Sequence, residues 1–365
     1  MKIKELIQCL EAYAPPVLQE SYDNAGLITG SSGWECTGVL CALDSTEDIV
    51  QEAIAKKCNL IVAHHPILFK GLKRINGNNY VERTIIKAIK NDIAIYAIHT
   101  NLDNVANGVS GKMADKLGLV NRSVLSPGNS SLRKLFTFVP TAYAEQVKNA
   151  LFEAGAGHIG GYCECSFESA GTGSFKAGPG TDPFVGKQGD RHLEPESKLE
   201  VIFPYWIQDR LLDALKASHP YEEVAYDIVA LTQVHAQVGS GMIGELKEPL
   251  PESEFLAKLV KVFGLKTLRH TKLTGKPIKR VALCGGAGSF LIINALKANA
   301  DVYISADIKY HEFFDADGGL LLCDIGHFES EQFTIELITD ILQQKFPTFA
   351  VLKSELNTNP VHYYF

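Results

Sequence analysis

The sequence has no basic block or stripe, and its 35 Lys and Arg are outnumbered by 42 Asp and Glu, for a formal net charge of −7. A protein that tracks a nucleic-acid backbone needs such a footprint, so there is no DNA-binding signal. No apolar run approaches the length required to cross a bilayer, and no membrane span is expected. The opening residues, Met1-Lys-Ile-Lys-Glu-Leu-Ile-Gln, read as the start of an amphipathic helix and not as a secretory leader. Cysteine motifs are also scarce. Cys163-Glu-Cys165 is the one close pair among eight cysteines, and with no second pair it fits packing or an edge strand better than a thiolate-held ion. Several of the others sit inside apolar, strand-like runs, which reads as buried reduced thiols and a cytoplasmic location.

Of the chain's 365 residues, 46% are hydrophobic and 21% charged, which fits a soluble globular protein of two or three domains. Its most informative stretch is Asn59-Leu-Ile-Val-Ala-His64-His65-Pro66. The apolar run reads as a buried parallel strand, and the two histidines and proline fall at its carboxyl end. Within a strand His64 and His65 would point to opposite faces; at its end, with Pro66 stopping the ladder, both imidazoles can turn into one crevice. Two neutral imidazoles side by side suit a metal site. The plainer alternative is a pair of histidines facing solvent.

Strands and helices alternate on either side of this stretch. Ile3 to Tyr13 reads as a helix ended by Pro15-Pro16, and Gly38 to Leu43 as a strand closed by Asp44-Ser45-Thr46. Thr46 is placed to cap the next helix, with Glu47 and Asp48 in its first turn. A glycine-rich loop carrying Lys70, Lys73 and Arg74 precedes a helix over Val81 to Lys90, and the strand Ile93 to Ile98 ends in His99-Thr-Asn-Leu-Asp103. Such βαβ units imply a mostly parallel sheet, with ligands beyond the strands' carboxyl ends, where His64, His65, His99 and Asp103 all fall.

Residues 127–236 follow a different pattern. Strands at Arg133–Val139 and Gly161–Ser169, a loop from about Gly171 to Pro195, and strands at Lys198–Phe203 and Val224–Ala230 interleave with two helices. That order is ferredoxin-like, and it divides the chain into 1–126 and 237–365, two parts of one α/β core, with 127–236 inserted. Gly155-Ala-Gly-His-Ile-Gly160 matches G-x-G-x-x-G but follows a helix and precedes a strand, the reverse of a dinucleotide site; a helix C-cap and turn is the better reading.

The α/β pattern resumes with a helix over Glu252 to Phe263. The strand Arg280–Cys284 then runs into Gly285-Gly-Ala-Gly-Ser289, a candidate anion site of backbone N–H groups that lacks the lysine of a P-loop; tight strand-to-helix packing is the alternative. Asp301–Ser305 ends in Ala306-Asp307-Ile-Lys309-Tyr-His311, and Leu320–Asp324 in Ile325-Gly-His327-Phe-Glu-Ser-Glu331. His327 and Glu331, four apart, project from one helix face and can grip one ion. Three histidines and two carboxylates (His64, His65, Asp103, His327 and Glu331) are more than one ion usually requires. Two divalent ions about 3.5–4 Å apart would use them all. Taken singly, Asp103 or His327 could cap a helix and Glu331 could be solvated. Nitrogen and oxygen donors without cysteine fit Zn, Mn, Fe or Co and do not choose among them; Zn is the ion expected.

Ile61-Val-Ala-His-His-Pro-Ile-Leu-Phe-Lys-Gly-Leu-Lys, His99-Thr-Asn-Leu-Asp, Val281-Ala-Leu-Cys-Gly-Gly-Ala-Gly-Ser, Asp307-Ile-Lys-Tyr-His and Gly326-His-Phe-Glu-Ser-Glu occur in that order, after Asp23-Asn-Ala-Gly-Leu27. Together they resemble the GTP cyclohydrolase I type 2 homologues, also called the NGG-one-interacting-factor-three-like family, over nearly the whole chain. His219-Pro-Tyr-Glu-Glu-Val-Ala-Tyr-Asp and the middle segment look like the family's longer members, whose insert is similar to the PII and CutA proteins.

The resemblance implies a toroidal homohexamer with two metal ions per subunit facing an internal cavity. Its ligand positions fall on His64, His65, Asp103, His327 and Glu331 without substitution, with His99, Asp307 and His311 around them or facing substrate. The implied reaction converts GTP and water to formate and dihydroneopterin triphosphate by attack of a metal-bound hydroxide on C8 of guanine. His99 or His311 would shuttle protons, and Lys70, Lys73 or Lys309 would hold the triphosphate unless they are simply solvated. Two alternatives stand beside it: a two-metal phosphoesterase or amidohydrolase, and a non-enzymatic metal-binding regulatory or scaffold protein whose insert takes a small effector or partner.

Overall fold

The apolar runs Val39–Ala42, Leu60–Ala63 and Ala94–Ala97 form adjacent parallel strands in which every residue is buried. They belong to the first of two units in the computed structural model, which describes residues 1–128 and 131–364: Met1–Pro127 with Gln237–Phe365 form one unit, Gly128–Ala236 the other. Gly26–Thr29 adds antiparallel to Ala94–Ala97, and Val351–Lys353 adds parallel to Val39–Ala42, to make five strands. Alternate residues supply the two faces. Val39, Cys41, Leu60 and Val62 pack with the helices Ile3–Tyr13 and Thr334–Lys345. Leu40, Ala42, Ile61 and Ala63 pack with Glu47–Ala55 and Tyr80–Lys90. Burial on both faces explains why these strands read as continuous apolar runs. Truncating one such residue, Ile61→Ala, is expected to cost about 2–5 kcal/mol. Thr46 caps Glu47–Ala55 by accepting from the Ile49 amide at 3.3 Å.

The second sheet of this unit has the order Arg269–His270, Leu321–Asp324, Val302–Ala306, Ile278–Ala287, Gly239–Leu250, Val120–Pro127. Only the pairings of Val302–Ala306 with its two neighbours are parallel; the other three are antiparallel. The expected mostly parallel arrangement therefore holds for the first sheet and not the second. Val120–Pro127 leads out toward the second unit and Gly239–Leu250 leads back, with Pro127 opposite Gly239. A chain that leaves and returns at one place runs in opposite directions along that edge, so these strands pair antiparallel.

The second unit runs strand Leu132–Pro140, helix Ala144–Glu153, strand Ser166–Lys176, strand Arg191–Pro204, helix Gln208–Ser218, strand Tyr226–Ala230. Its sheet is antiparallel, with Arg191–Pro204 and Leu132–Pro140 central and Ser166–Lys176 and Tyr226–Ala230 at the edges. Leu135, Val139, Leu199 and Val201 bury one face under Val147, Leu151, Leu211 and Leu215. Of the stretch expected to be a loop over 171–195, the ends 171–176 and 191–195 are strand and 177–190 is not. Ser166–Lys176 is Gly-, Ser- and Thr-rich and largely exposed, so it offers no apolar alternation to read. Gly155 and Gly157, with φ of +97° and +79°, form the turn after Ala144–Glu153, as the reversed glycine motif implied. All eight cysteines are free, five of them buried, and Cys163 is exposed. Among the described residues, no helix is long and apolar enough to cross a membrane.

Candidate metal centre

Three neighbouring strand ends build half of the site. The His64 and His65 amides donate to Ala42 and Leu43 at 3.2 and 2.9 Å, extending the ladder one step past Leu60–Ala63 before Pro66 stops it. Both imidazoles then join one cluster, their centroids 4.9 Å apart, with His65 on the wall of a cavity and His64 buried behind it, and His99 joins from the end of Ala94–Ala97 at 5.2 and 5.4 Å. Asp103 comes from the single turn Thr100–Asp103. The other half comes from the second sheet, where the short helix His327–Glu331 follows Leu321–Asp324 and presents His327 and Glu331 on one face.

Glu331 is the hub, and only 3% of it is exposed. Its Oε2 lies 2.9 Å from His65 Nε2 and 3.0 Å from His327 Nε2, while Oε1 faces His64 Nε2 at 3.8 Å. Asp103 Oδ1 stands 3.6 Å from the same His64 nitrogen. The Nε2 atoms of His65 and His327 face each other at 3.2 Å. Despite these short distances, His64 Nε2, Asp103 Oδ1 and Glu331 Oε2 are covered from solvent without a directed hydrogen bond. Each carboxylate oxygen of Glu331 thus addresses its own group of donors, and one-atom-per-residue clusters form from His65, His327 and Glu331 and from His64, His65 and His99.

The far side of every ring is tied down. His64 Nδ1 meets the Ile98 carbonyl at 2.9 Å, His65 Nδ1 meets Asp44 at 2.8 Å, His99 Nδ1 meets Asp23 at 2.7 Å and His327 Nδ1 meets Asp307 at 2.6 Å. An acceptor at Nδ1 fixes a proton there, so that each ring, once neutral, presents its Nε2 lone pair inward. Asp44 is itself bound by the Thr358 hydroxyl, and Asp23 by the Thr100 amide and hydroxyl.

Protonation follows these contacts. Burial opposes charge on His65, but the Asp44 and Glu331 carboxylates outweigh it and raise its pKa to about 9. Burial likewise opposes charge on His327, and Asp307 with Glu331 raises it to about 11. On His64 burial wins and lowers the pKa, with Glu331 opposing. Glu331 resists its own burial because His327, His64 and His65 hold it well below the carboxylate range. Burial, then the charge of Glu331, pushes Asp103 well above it.

The cavity occupies about 890 Å³, and Tyr22, Phe69, Tyr80 and Phe290 contribute large, exposed rings to its wall. Among the described residues no Lys or Arg lines it, and Lys70, Lys73 and Lys309 are exposed elsewhere. His311 is exposed, against Tyr310 and Phe314, and is not part of the lining. Two amides of the glycine loop serve the cluster and are not free for an anion. The Gly285 and Gly286 amides donate to the hydroxyls of Ser110 and Ser330, and the helix that follows, Ile292–Lys297, is six residues long. Gly286, at φ +61°, must stay bare because a Cβ there would meet the Glu331 carboxylate. Asp44 escaped the sequence reading as an orienting residue, although its place at the end of Val39–Ala42, beside His64 and His65, was a usable signal.

The family described as Duf34/NIF3 (NGG1p interacting factor 3) matches residues 1–360. A Halalkalibacterium halodurans protein named GTP cyclohydrolase 1 type 2 homolog is 40% identical over 360 residues, 97% of each chain. Its Bacillus subtilis counterpart of the same name is 38% identical over 363 residues, 98% of this chain and 97% of that one. The crystal structure of a Bacillus cereus protein related to NIF3 superposes with a TM-score of 0.88 at 36% identity, covering 100% of this chain and 99% of that one.

Proposed function

The chain belongs to the Duf34/NIF3 family, and from that premise we propose a metal-dependent hydrolase holding two divalent ions on His64, His65, Asp103, His327 and Glu331. One observation carries this reading: buried donor atoms of His64, Asp103 and Glu331 converge without hydrogen-bond partners. Burying such atoms unpaired is costly, and an ion shared among them removes the cost. Imidazole and carboxylate donors without cysteine fit zinc, manganese, iron or cobalt, of which we propose zinc.

When bound, such ions supply Lewis acidity and lower the pKa of a coordinated water. The remaining work falls to the chain. Asp44 and Asp307 hold the protons of His65 and His327 at Nδ1, so Nε2 stays available. Glu331 offers one oxygen to each group of donors. His99, oriented by Asp23, is among the described residues the one further histidine on the cavity wall, and its Nε2 is placed to take or give a proton. Tyr22, Phe69, Tyr80 and Phe290 give apolar faces for a planar ring. The relatives' name supports GTP as substrate, with formate and dihydroneopterin triphosphate as products. A toroidal homohexamer, on the family resemblance, and a cytoplasmic location, on the free and mostly buried cysteines, are part of this proposal. So is a ferredoxin-like, PII- or CutA-like second unit, on its βαββαβ order.

A second reading, a two-metal amidohydrolase acting on a ring without phosphates, is favoured by the cavity's lack of Lys and Arg. Metal analysis of freshly purified protein and a formate assay with GTP test the first; a screen of cyclic amides tests the second. Asp103→Ala should remove metal and turnover together. Undiminished turnover in chelator-stripped protein would overturn both, and absence of turnover with every divalent metal would leave a metal-binding regulatory protein.

A further inference from the structure

The second unit holds a cavity of about 680 Å³, within the range of small-molecule sites. Side chains alternate along Arg191–Pro204. Leu199 and Val201 pack under the helices, so Glu196 and Lys198, with their ladder partners Gly171, Ser169 and Phe138, lie on the opposite face. Part of that face is roofed by Pro183 and Phe184 and by Tyr221 to Glu223.

Glu196 stands in the wall and is only 8% exposed. Among the described residues, the one side chain hydrogen-bonded to it is Tyr221, whose hydroxyl donates to Oε1 at 2.9 Å. Burial, then the Glu196 carboxylate, raises the pKa of that phenol, so it remains a donor. The facing strand is bare where the carboxylate lies, since a Cβ at Gly173 would collide with it. A buried carboxylate with one neutral partner lacks a cation. The lining lysines do not supply it. Lys198 bonds Glu200 at 2.9 Å and sits over the Phe136 ring, and Lys176 is exposed. The remaining charged groups of the lining, Glu222 and Glu223, are acidic.

Around this charge stand aromatic rings. Tyr221 lies 5.9 Å from Phe175 and 6.3 Å from Phe184, and Phe138 adds a fourth ring to the lining. Aromatic faces with one carboxylate match an ammonium ion carrying apolar substituents. A bare metal ion would need several oxygen or nitrogen donors converging on one point, and among the described residues no such cluster of metal-ligating groups lies here; the lining's three carboxylates against two lysines disfavour an anion. We propose that the cavity beside Glu196 is a binding site for a small organic ammonium ligand.

Titration of the full-length protein by calorimetry, with choline and butylammonium as probes, tests this. The controls are the uncharged tert-butyl analogue of choline and butyrate. The ammonium probes should bind at least about tenfold tighter than the uncharged analogue, and butyrate should not bind. Glu196→Gln keeps a hydrogen-bonding group for Tyr221 and should weaken choline by about tenfold or more. Its circular dichroism and melting curve report whether it folds. Tyr221→Phe keeps the ring and frees the carboxylate, so it should retain binding. Equal binding of choline and its uncharged analogue would overturn the proposal, as would wild-type affinity in Glu196→Gln. No binding at about 10 mM probe would do the same, and so would protein self-association that covers the cavity and excludes the probes.

Discussion

Glu331 in the first unit lies within 3.8 Å of three imidazole nitrogens, whereas Glu196 in the second has one phenol and a set of aromatic rings. Both carboxylates are buried, and both sit beside a glycine kept bare for them, Gly286 and Gly173. The difference lies in the neighbours. Around Glu331 each ring is anchored at its outer nitrogen, so lone pairs accumulate inward and call for an inorganic cation. Around Glu196 no imidazole lines the cavity among the described residues; aromatic rings stand beside the carboxylate, with hydroxyls and the acidic Glu222 and Glu223 in the rest of the lining. A buried acid therefore says little about its ligand until the groups behind its neighbours are traced.

The largest expected effect that would break this contrast is at Glu331. Glu331→Ala should reduce metal content, measured by inductively coupled plasma mass spectrometry, to background, while Glu196→Ala should leave it at the wild-type level. Next comes Gly286→Ala. A non-glycine residue at φ +61° costs about 1 kcal/mol. The new methyl would also displace Glu331, so metal affinity should fall by more than the melting temperature implies. Asp44→Asn preserves shape but alters the Nδ1 contact of His65, and a loss of about 10–100-fold in metal affinity is expected by competition with a chromophoric chelator.

A smaller effect concerns pH. His65 has its pKa raised to about 9 in the metal-free protein, from the ordinary 6.5. A raised folded-state pKa contributes stability that is complete below about pH 6.5 and is lost as pH rises toward 9. The chelated protein should therefore lose melting temperature across that window, while metal affinity rises because protons no longer compete. Metal uptake at pH 7 should release protons, seen as a dependence of calorimetric heat on buffer ionisation enthalpy. Flat responses in both measurements would show that the imidazoles are already neutral.

Much of the first sheet was legible because its central strands are buried on both faces and so appear as uninterrupted apolar runs ending in polar residues. His64, His65, His327 and Glu331 could be picked out for the same reason, each standing at such an end or at i and i+4. The edge strands were harder. Ser166–Lys176 is almost wholly exposed, and Gly239–Leu250 takes its direction from returning beside Val120–Pro127. No local periodicity encodes either fact. The tethers were partly hidden for a similar reason: Asp44 meets Thr358 across 314 positions of chain, a relation that spacing cannot express.

His65 and His327 are separated by 262 positions, and the entire second unit lies between them in sequence. An ion gripped by both rings would act as a staple across that span, closing one very large loop. A protease nick within the second unit would then cut the polypeptide without freeing its two ends, which the ion would hold in addition to the packing of Ile3–Tyr13 against Thr334–Lys345, so a chelator should lower the melting temperature of the nicked particle.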